Sequence, residues 1–328
     1  MGYFLRRLSF YLVALLVAAT INFIIPRAMP GDPVTMMFAN ATVQVTPERI
    51  AAMKELLGFV DGNYFVQYLH YMKNILSWEL GTSIKYFPLS VNSLLGSAFG
   101  WSLFLAGTAV ILSFSIGSVL GIFAAWKRGS KFDTFITPGM LIIQAMPQVV
   151  IAMMAMFIFA IGLKWFPTGY AYTAGQLPDW TSWEFIKDVL YHAVLPLICA
   201  TVIQIGGFLV NMRNNMINLL NEDYITMAKG KGLSENRVVF NYAARNALLP
   251  SVTALSMSLG VAIGGQLIIE IIFNYPGLGS VLLNAIHARD YQVLQGQLLI
   301  MTLFMLFFNL AADMLYVVLD PRLRKGGK

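Results

Sequence analysis

Residues Asn221–Pro250 read NEDYITMAKGKGLSENRVVFNYAARNALLP, a polar, basic, helix-like stretch lying between two long apolar runs. Asn221 is placed to cap a helix whose first turn carries Glu222 and Asp223 and whose far end carries Lys229 and Lys231. That arrangement matches the helix dipole at both ends. Gly230 and Gly232 supply the backbone freedom to stop the helix. Tyr224, Met227 and Ala228 fall on one face, which makes a short amphipathic element, and Ser234 can cap a second helix leading to Pro250. One reading lays this segment flat on an anionic membrane surface. The other docks it in a protein groove, which suits the two acidic residues and the small Ala228 and glycines better than burial among headgroups.

The rest of the chain is membrane-like. Of 328 residues, 58% are hydrophobic and only 12% charged, far outside the composition of soluble domains. Apolar runs at Leu8–Met29, Trp101–Ala125, Phe135–Leu163, Val189–Val210, Ser251–Phe273 and Gln297–Leu319 each hold the roughly 20 apolar residues that cross a bilayer core. None shows the alternation of a barrel strand. The fold class read from this is an all-α integral membrane protein with six transmembrane helices. Basic residues fall at alternate loops: Arg6 and Arg7, then Lys127, Arg128 and Lys131, then Arg213, Lys229, Lys231, Arg237 and Arg245, then Arg322, Arg324, Lys325 and Lys328. These are 14 of the 22 lysines and arginines, and by the positive-inside rule they place both termini in the cytoplasm. Arg6-Arg7 before an apolar run also fits a signal peptide, but the run is long for one, so an uncleaved first helix is expected.

The domain reading is a single transmembrane domain over 1–328, with an outer insertion at 30–100 and an inner loop at 213–249. Two helices are expected in the insertion: TPERIAAMKELLG, with Thr46 as N-cap and Gly58 as stop, and a second from about Tyr64 to Trp78. Phe65, Tyr68, Met72 and Ile75 give the second an apolar face. Trp165, Phe166, Tyr170, Tyr172, Trp180 and Trp183 crowd another outer loop, as aromatic residues do at a membrane boundary. Cys199, the single cysteine, reads as core packing.

Catalytic chemistry is hard to place. A phosphate-binding loop needs Gly, four residues, then Gly-Lys-Ser/Thr; Gly230-Lys231 has Ile225 where the first glycine belongs and Gly232 where the hydroxyl belongs. His70, His192 and His287 lack metal-ligand spacing. Asp313 is taken as the carboxylate within a span, with Asn309 one turn earlier, and a helix–helix hydrogen bond is favoured over a proton relay. A secondary transporter driven by an ion gradient is the alternative reading; it calls for mid-bilayer carboxylates and broken helices, and leaves the polar loop unexplained. Pro147 in the third span and Gly260, Gly264, Gly265 and Gln266 in the fifth are candidates to line a pathway, ordinary tight packing being the other reading.

Met227-Ala228-Lys229-Gly230-Lys231-Gly232 resembles the cytoplasmic coupling motif of ABC importer permeases: two small residues, three variable positions, then a glycine. Thr226 and Met227 depart from the common pattern at its start. The late Leu249-Pro250 is similar to the dipeptide/oligopeptide branch. Other landmarks fall in that branch's order: Pro30-Gly31-Asp32-Pro33, Leu80-Gly81-Thr82-Ser83, Phe166-Pro167-Thr168-Gly169, Leu195-Pro196, Phe273-Asn274-Tyr275-Pro276-Gly277-Leu278-Gly279, Arg289-Asp290-Tyr291 and Asp320-Pro321-Arg322. The resemblance implies a type I importer permease fold and the first of two permease subunit types. It also implies a second related permease, two cytoplasmic ATPase subunits that hold ATP and Mg, an external binding protein, and no cofactor on this chain. Glu222, Asp223, Tyr224, Met227, Ala228, Lys229, Gly232 and Leu233 would couple to the ATPase. Substrates in such a family include di- and oligopeptides, oligosaccharides such as beta-linked glucosides, and nickel.

Overall fold

A computed structural model describes residues 2–28, 48, 63–262 and 266–319. Every long element is a helix, and among the described residues the only β pairing is an isolated bridge between Thr82 and Ser90. The order is α1 (Gly2–Ala28), α2 (Tyr64–Leu76), α3 (Val91–Ser102) running through a π turn into α4 (Thr108–Trp126), then α5 (Lys131–Ala145) and α6 (Gln148–Ala155). There follow α7 (Trp183–Leu220), α8 (Asp223–Gly230), a short α9 (Glu235–Arg237) that continues as a π turn, α10 (Arg245–Ala262), α11 (Leu267–Ile272), α12 (Leu278–Ala288) and α13 (Tyr291–Leu319).

Four apolar stretches are long enough to cross a membrane: Arg6–Ile25, Val91–Trp126, Trp183–Leu220 and Tyr291–Met314. α5 and the helix from Gln148 to Gly162 make a fifth only if counted together, because they meet at 97°. The third span expected over Phe135–Leu163, with a kink allowed at Pro147, is therefore a sharply broken one. The cause is local. Pro147 has no amide hydrogen and pushes the residue before it out of the helical region, and Met146 accordingly sits at φ −71°, ψ 139°. The expected fifth span, Ser251–Phe273, is interrupted as well: α10 is described as far as Ala262, and Gln266 is non-helical at φ −88°, ψ 71° before α11 starts. Residues 263–265 between them, including Gly264 and Gly265, lie outside the described residues, as does the expected 46–58 helix apart from Glu48.

The chain divides into two units, Met1–Trp101 with Pro276–Leu306, and Ser102–Tyr275 with Phe307–Lys328. In the first, α2 lies on α1: the Phe23 and Tyr68 rings meet edge-on at 5.2 Å, and Thr20 and Tyr68 share a hydroxyl hydrogen bond of 2.8 Å. The same unit brings two distant landmarks together. Ser83 Oγ donates to buried Asp290 Oδ2 at 2.5 Å, the Lys85 amide donates to the same oxygen at 3.1 Å, and the Thr82 amide donates to Gln292 Oε1 at 2.6 Å. Asp290 Oδ1 also takes the Val293 amide, so one carboxylate both ties the 80–83 turn and caps α13.

The second unit is built around α7. At 38 residues it is about 57 Å long, nearly twice the bilayer core. α4 packs against it with backbone nearly touching backbone. A Cβ at Gly117 would sit 2.9 Å from the Ile205 carbonyl oxygen, and one at Gly121 would sit 2.6 Å from that of Leu209. This is a Gly-xxx-Gly contact, in which dispersion and short polar bonds replace a hydrophobic drive that lipid cannot provide. Ser113 adds an interhelical hydrogen bond to the Thr201 carbonyl at 2.9 Å. On another side α7 is clamped to α5 by a bidentate pair, Arg213 Nε and Nη2 donating to Asp133 Oδ1 and Oδ2 at 2.7 and 2.8 Å.

Candidate functional site

The polar loop grows directly from the end of α7. Asn221 closes α7 rather than opening the next helix: its amide donates to the carbonyls of Asn218 and Leu219, and its side chain donates back to Ile217. Glu222, extended at φ −75°, ψ 150°, is the N-cap residue of α8, with Asp223 in the first turn and Lys229 in the last. The dipole pattern read from the sequence thus stands, with the cap moved by one residue.

The helix ends on a Schellman turn. Gly232 takes φ +75°, its amide donates to Lys229 O at 2.9 Å, and the Leu233 amide reaches back to Ala228 O at 3.4 Å. Among the described residues, nothing lies within 4 Å of where a Cβ on Gly232 would be. Within this chain the glycine is needed for its backbone angle and not for space.

Packing corrects the face expected for α8. Ile225 and Ala228 are the buried pair, while Tyr224 and Met227 are 36% and 62% exposed. Ile225 and Ala228 sit in one apolar cluster with Ile122 and Ala125 of α4, Met212 and Met216 of α7, and Val238, Val239, Ala243, Ala244 and Ala247 from the second half of the loop. Leu233, the residue after the turn, packs on the same cluster and completes the hydrophobic contact typical of this turn. Ala228 is therefore an inward, intrachain residue, separated from the Tyr224 and Met227 face with which it was grouped. Glu222, Asp223, Tyr224, Thr226, Met227, Lys229 and Lys231 remain exposed.

Side chains around the loop hold this seat in place. Trp126 Nε1 donates to Glu235 Oε1 at 2.7 Å, and the rings of Phe123 and Trp126 flank Phe240 at 6.0 and 5.8 Å. Asn246 Nδ2 donates to the Tyr224 hydroxyl at 3.3 Å. The result is a short helix fixed on its inner face and open on its outer one.

The other candidate residues scatter. Pro147 is exposed at the corner between α5 and α6, Gly260 is buried in α10, and Gln266 is partly buried ahead of α11. Asp313 is partly buried in α13. Sequence reading took Asp313 for the carboxylate within a span and passed over Glu270, which falls inside the fifth apolar run. Glu270 is fully buried in α11; its side chain accepts from Ser102 Oγ at 2.6 Å, and its carbonyl accepts from the Tyr275 amide at 2.7 Å. A carboxylate in an apolar run was signal enough to find it. Close by, the Tyr170 amide donates to the Phe273 carbonyl at 2.8 Å, joining the Phe166–Gly169 and Phe273–Gly279 landmarks.

Several apolar helices, a broken span and a polar loop seated on the bundle define a multi-pass membrane protein. Residues 117–325 match the family described as binding-protein-dependent transport system inner membrane component, and residues 1–99 match its N-terminal membrane component. Similar chains run along the whole length. The oligopeptide transport system permease protein AppB of Bacillus subtilis is 34% identical over 323 residues, covering 98% of this chain and 99% of that one. The dipeptide transport system permease protein DppB of Escherichia coli is 32% identical over 338 residues, 98% of each. The glutathione transport system permease protein GsiC of Salmonella choleraesuis is 31% identical over 329 residues, 99% of each. The chain belongs to the binding-protein-dependent transport family and is an inner-membrane permease of the ABC importer class.

Proposed function

We propose that this chain forms half of the translocation route of an ATP-driven peptide importer and that α8 is the element through which ATP hydrolysis reaches it. The observation that carries the coupling role is the split personality of α8. Ile225, Ala228 and Leu233 hold it in an apolar cluster built by residues 238–247 with the ends of α4 and α7, while Tyr224 and Met227 stand exposed with Asp223 and Lys229 at the two ends. A rigid helix with an unpaired apolar outer face suits insertion into a partner's groove. Any push on α8 then passes into α7, whose length runs through the whole bilayer. Peptides are the substrate class because the named relatives carry oligopeptides, dipeptides and glutathione.

The assembly that follows has a second related permease, two cytoplasmic ATPase subunits holding ATP and Mg, and an external binding protein. Both termini and α8 lie in the cytoplasm, with six crossings in all, the broken third and fifth runs each counted as one. A cysteine placed at Met227 should cross-link to an ATPase subunit in membranes, and cells lacking this chain should lose uptake of labelled di- and tripeptides. Cross-linking absent at Met227 in an intact, transporting complex would refute the docking; uptake of peptides unchanged without the chain would refute the substrate class.

A further inference from the structure

Where α5 and α6 meet at Pro147, the second unit holds an open cavity of about 460 Å³ against α7 and α10. Its polar lining is Gln144, Gln148, Gln204, Asn211 and Ser258, with Phe208 among the apolar walls and no charged residue. Among the described residues, the side chains of Gln144 and Gln148 have no hydrogen-bond partner. Gln204 uses its amide hydrogen on the Ala200 carbonyl at 2.9 Å and leaves its side-chain oxygen free to accept. Asn211 Oδ1 accepts from Asn215 and Ser251 at 3.1 and 3.3 Å.

Depth makes these amides unusual. Gln204 lies about 7 Å along α7 from the middle of the apolar run Val189–Val210, well inside the hydrocarbon zone. Open carboxamides facing lipid there would be costly, so this surface faces water or a polar guest. A carboxamide both donates and accepts, as a peptide bond does, and it carries no charge with which to hold or reject an ionised side chain.

We propose that this cavity is a solute-contact site in the translocation route, where Gln144, Gln148 and Gln204 hydrogen-bond passing peptide backbones without reading their side chains. The proposal rests on the peptide-importer reading. Neutral, replaceable hydrogen bonds let a solute move on, because each contact is strong enough to replace water and too weak to trap. The bend at Pro147 lies between Gln144 at the end of α5 and Gln148 at the start of α6, and both line the cavity against α7.

The test uses the whole transporter in proteoliposomes with its ATPase and binding protein. Combined Gln144→Leu, Gln148→Leu and Gln204→Leu should cut dipeptide uptake about tenfold, the scale of losing one or two hydrogen bonds, while loaded binding protein still stimulates ATPase activity. Gln148→Glu alone should shift the Ala-Lys to Ala-Asp uptake ratio about tenfold towards the lysine peptide, relative to wild type. Unchanged uptake in the triple variant, or an unchanged ratio in Gln148→Glu, overturns the proposal. So does loss of the second permease from the purified triple variant with the ratio in Gln148→Glu unmoved, which would make the cavity a subunit interface. Wild-type proteoliposomes that transport no peptide would instead overturn the substrate reading on which this rests.

Discussion

Substitutions at two neighbouring positions of α8, Met227→Glu and Ala228→Leu, should fail for different reasons. Met227 leaves 62% of its surface in solvent, so changing it touches little of this chain and should alter its own stability by less than about 0.5 kcal/mol. Full burial of a methionine contributes about 1.5–3 kcal/mol, so covering the exposed 62% in a partner's groove would contribute about 1–2 kcal/mol. Met227→Glu removes that and asks the groove to desolvate a carboxylate. ATPase association should fall by at least about tenfold, with normal membrane abundance and an unchanged melting temperature for the purified permease. Ala228 is 4% exposed among Ile122, Met212 and Val238, so three added carbons have no room and should cost about 1–3 kcal/mol of the permease's own stability. Fluorescence-detected thermal melts in detergent, paired with co-purification of the ATPase, separate the two. If Met227→Glu transports and co-purifies like wild type, the exposed face of α8 is not the docking face. If Ala228→Leu melts normally, the inward packing described above is wrong.

Other substitutions report on the supports. Gly232→Ala and Gly232→Leu should destabilise the loop equally, by about 1 kcal/mol, because φ +75° and not space is the constraint; Gly232→Asn should cost less, as read by hydrogen exchange of α8. Asp133→Asn and Arg213→Lys should each lower the melting temperature, with a loss of about 1.5–3 kcal/mol for breaking a bidentate pair, and a double-mutant cycle should show them non-additive. Gly121→Val should abolish assembly of α4 against α7, seen as loss of the protein from membranes, because its Cβ would meet backbone at 2.6 Å. Gly139→Ala, with open space around it, should leave abundance unchanged.

Much of the fold was legible because hydropathy is a property of composition in a window and survives ignorance of direction. The runs around Leu8, Trp101, Val189 and Gln297 all became long helices, and Pro147 announced a distortion in the third. Its size was not legible: proline removes one hydrogen bond, but whether the helix kinks slightly or turns through 97° depends on what packs into the corner. The Gly117–Gly121 spacing was readable and went unused, as was Glu270. The stop of α8 at Gly232 was read correctly because a Schellman turn is local chemistry.

The sequence alone determined a helical, multi-pass membrane chain with an amphipathic element that opens on acidic residues and stops at Gly232. Only the tertiary structure decided which way α8 faces. With Tyr224, Ile225, Met227 and Ala228 spread around eight residues, the helix has apolar groups on several sides, and its inner side is set by the apolar cluster of residues 238–247, α4 and α7 in which Ile225 and Ala228 are buried. Tertiary structure alone also joined Ser83 to Asp290 and Tyr170 to Phe273, residues 207 and 103 positions apart. Local periodicity carries no record of such pairs, because the need to satisfy a buried carboxylate or carbonyl is met by whatever donor the fold brings within 3 Å.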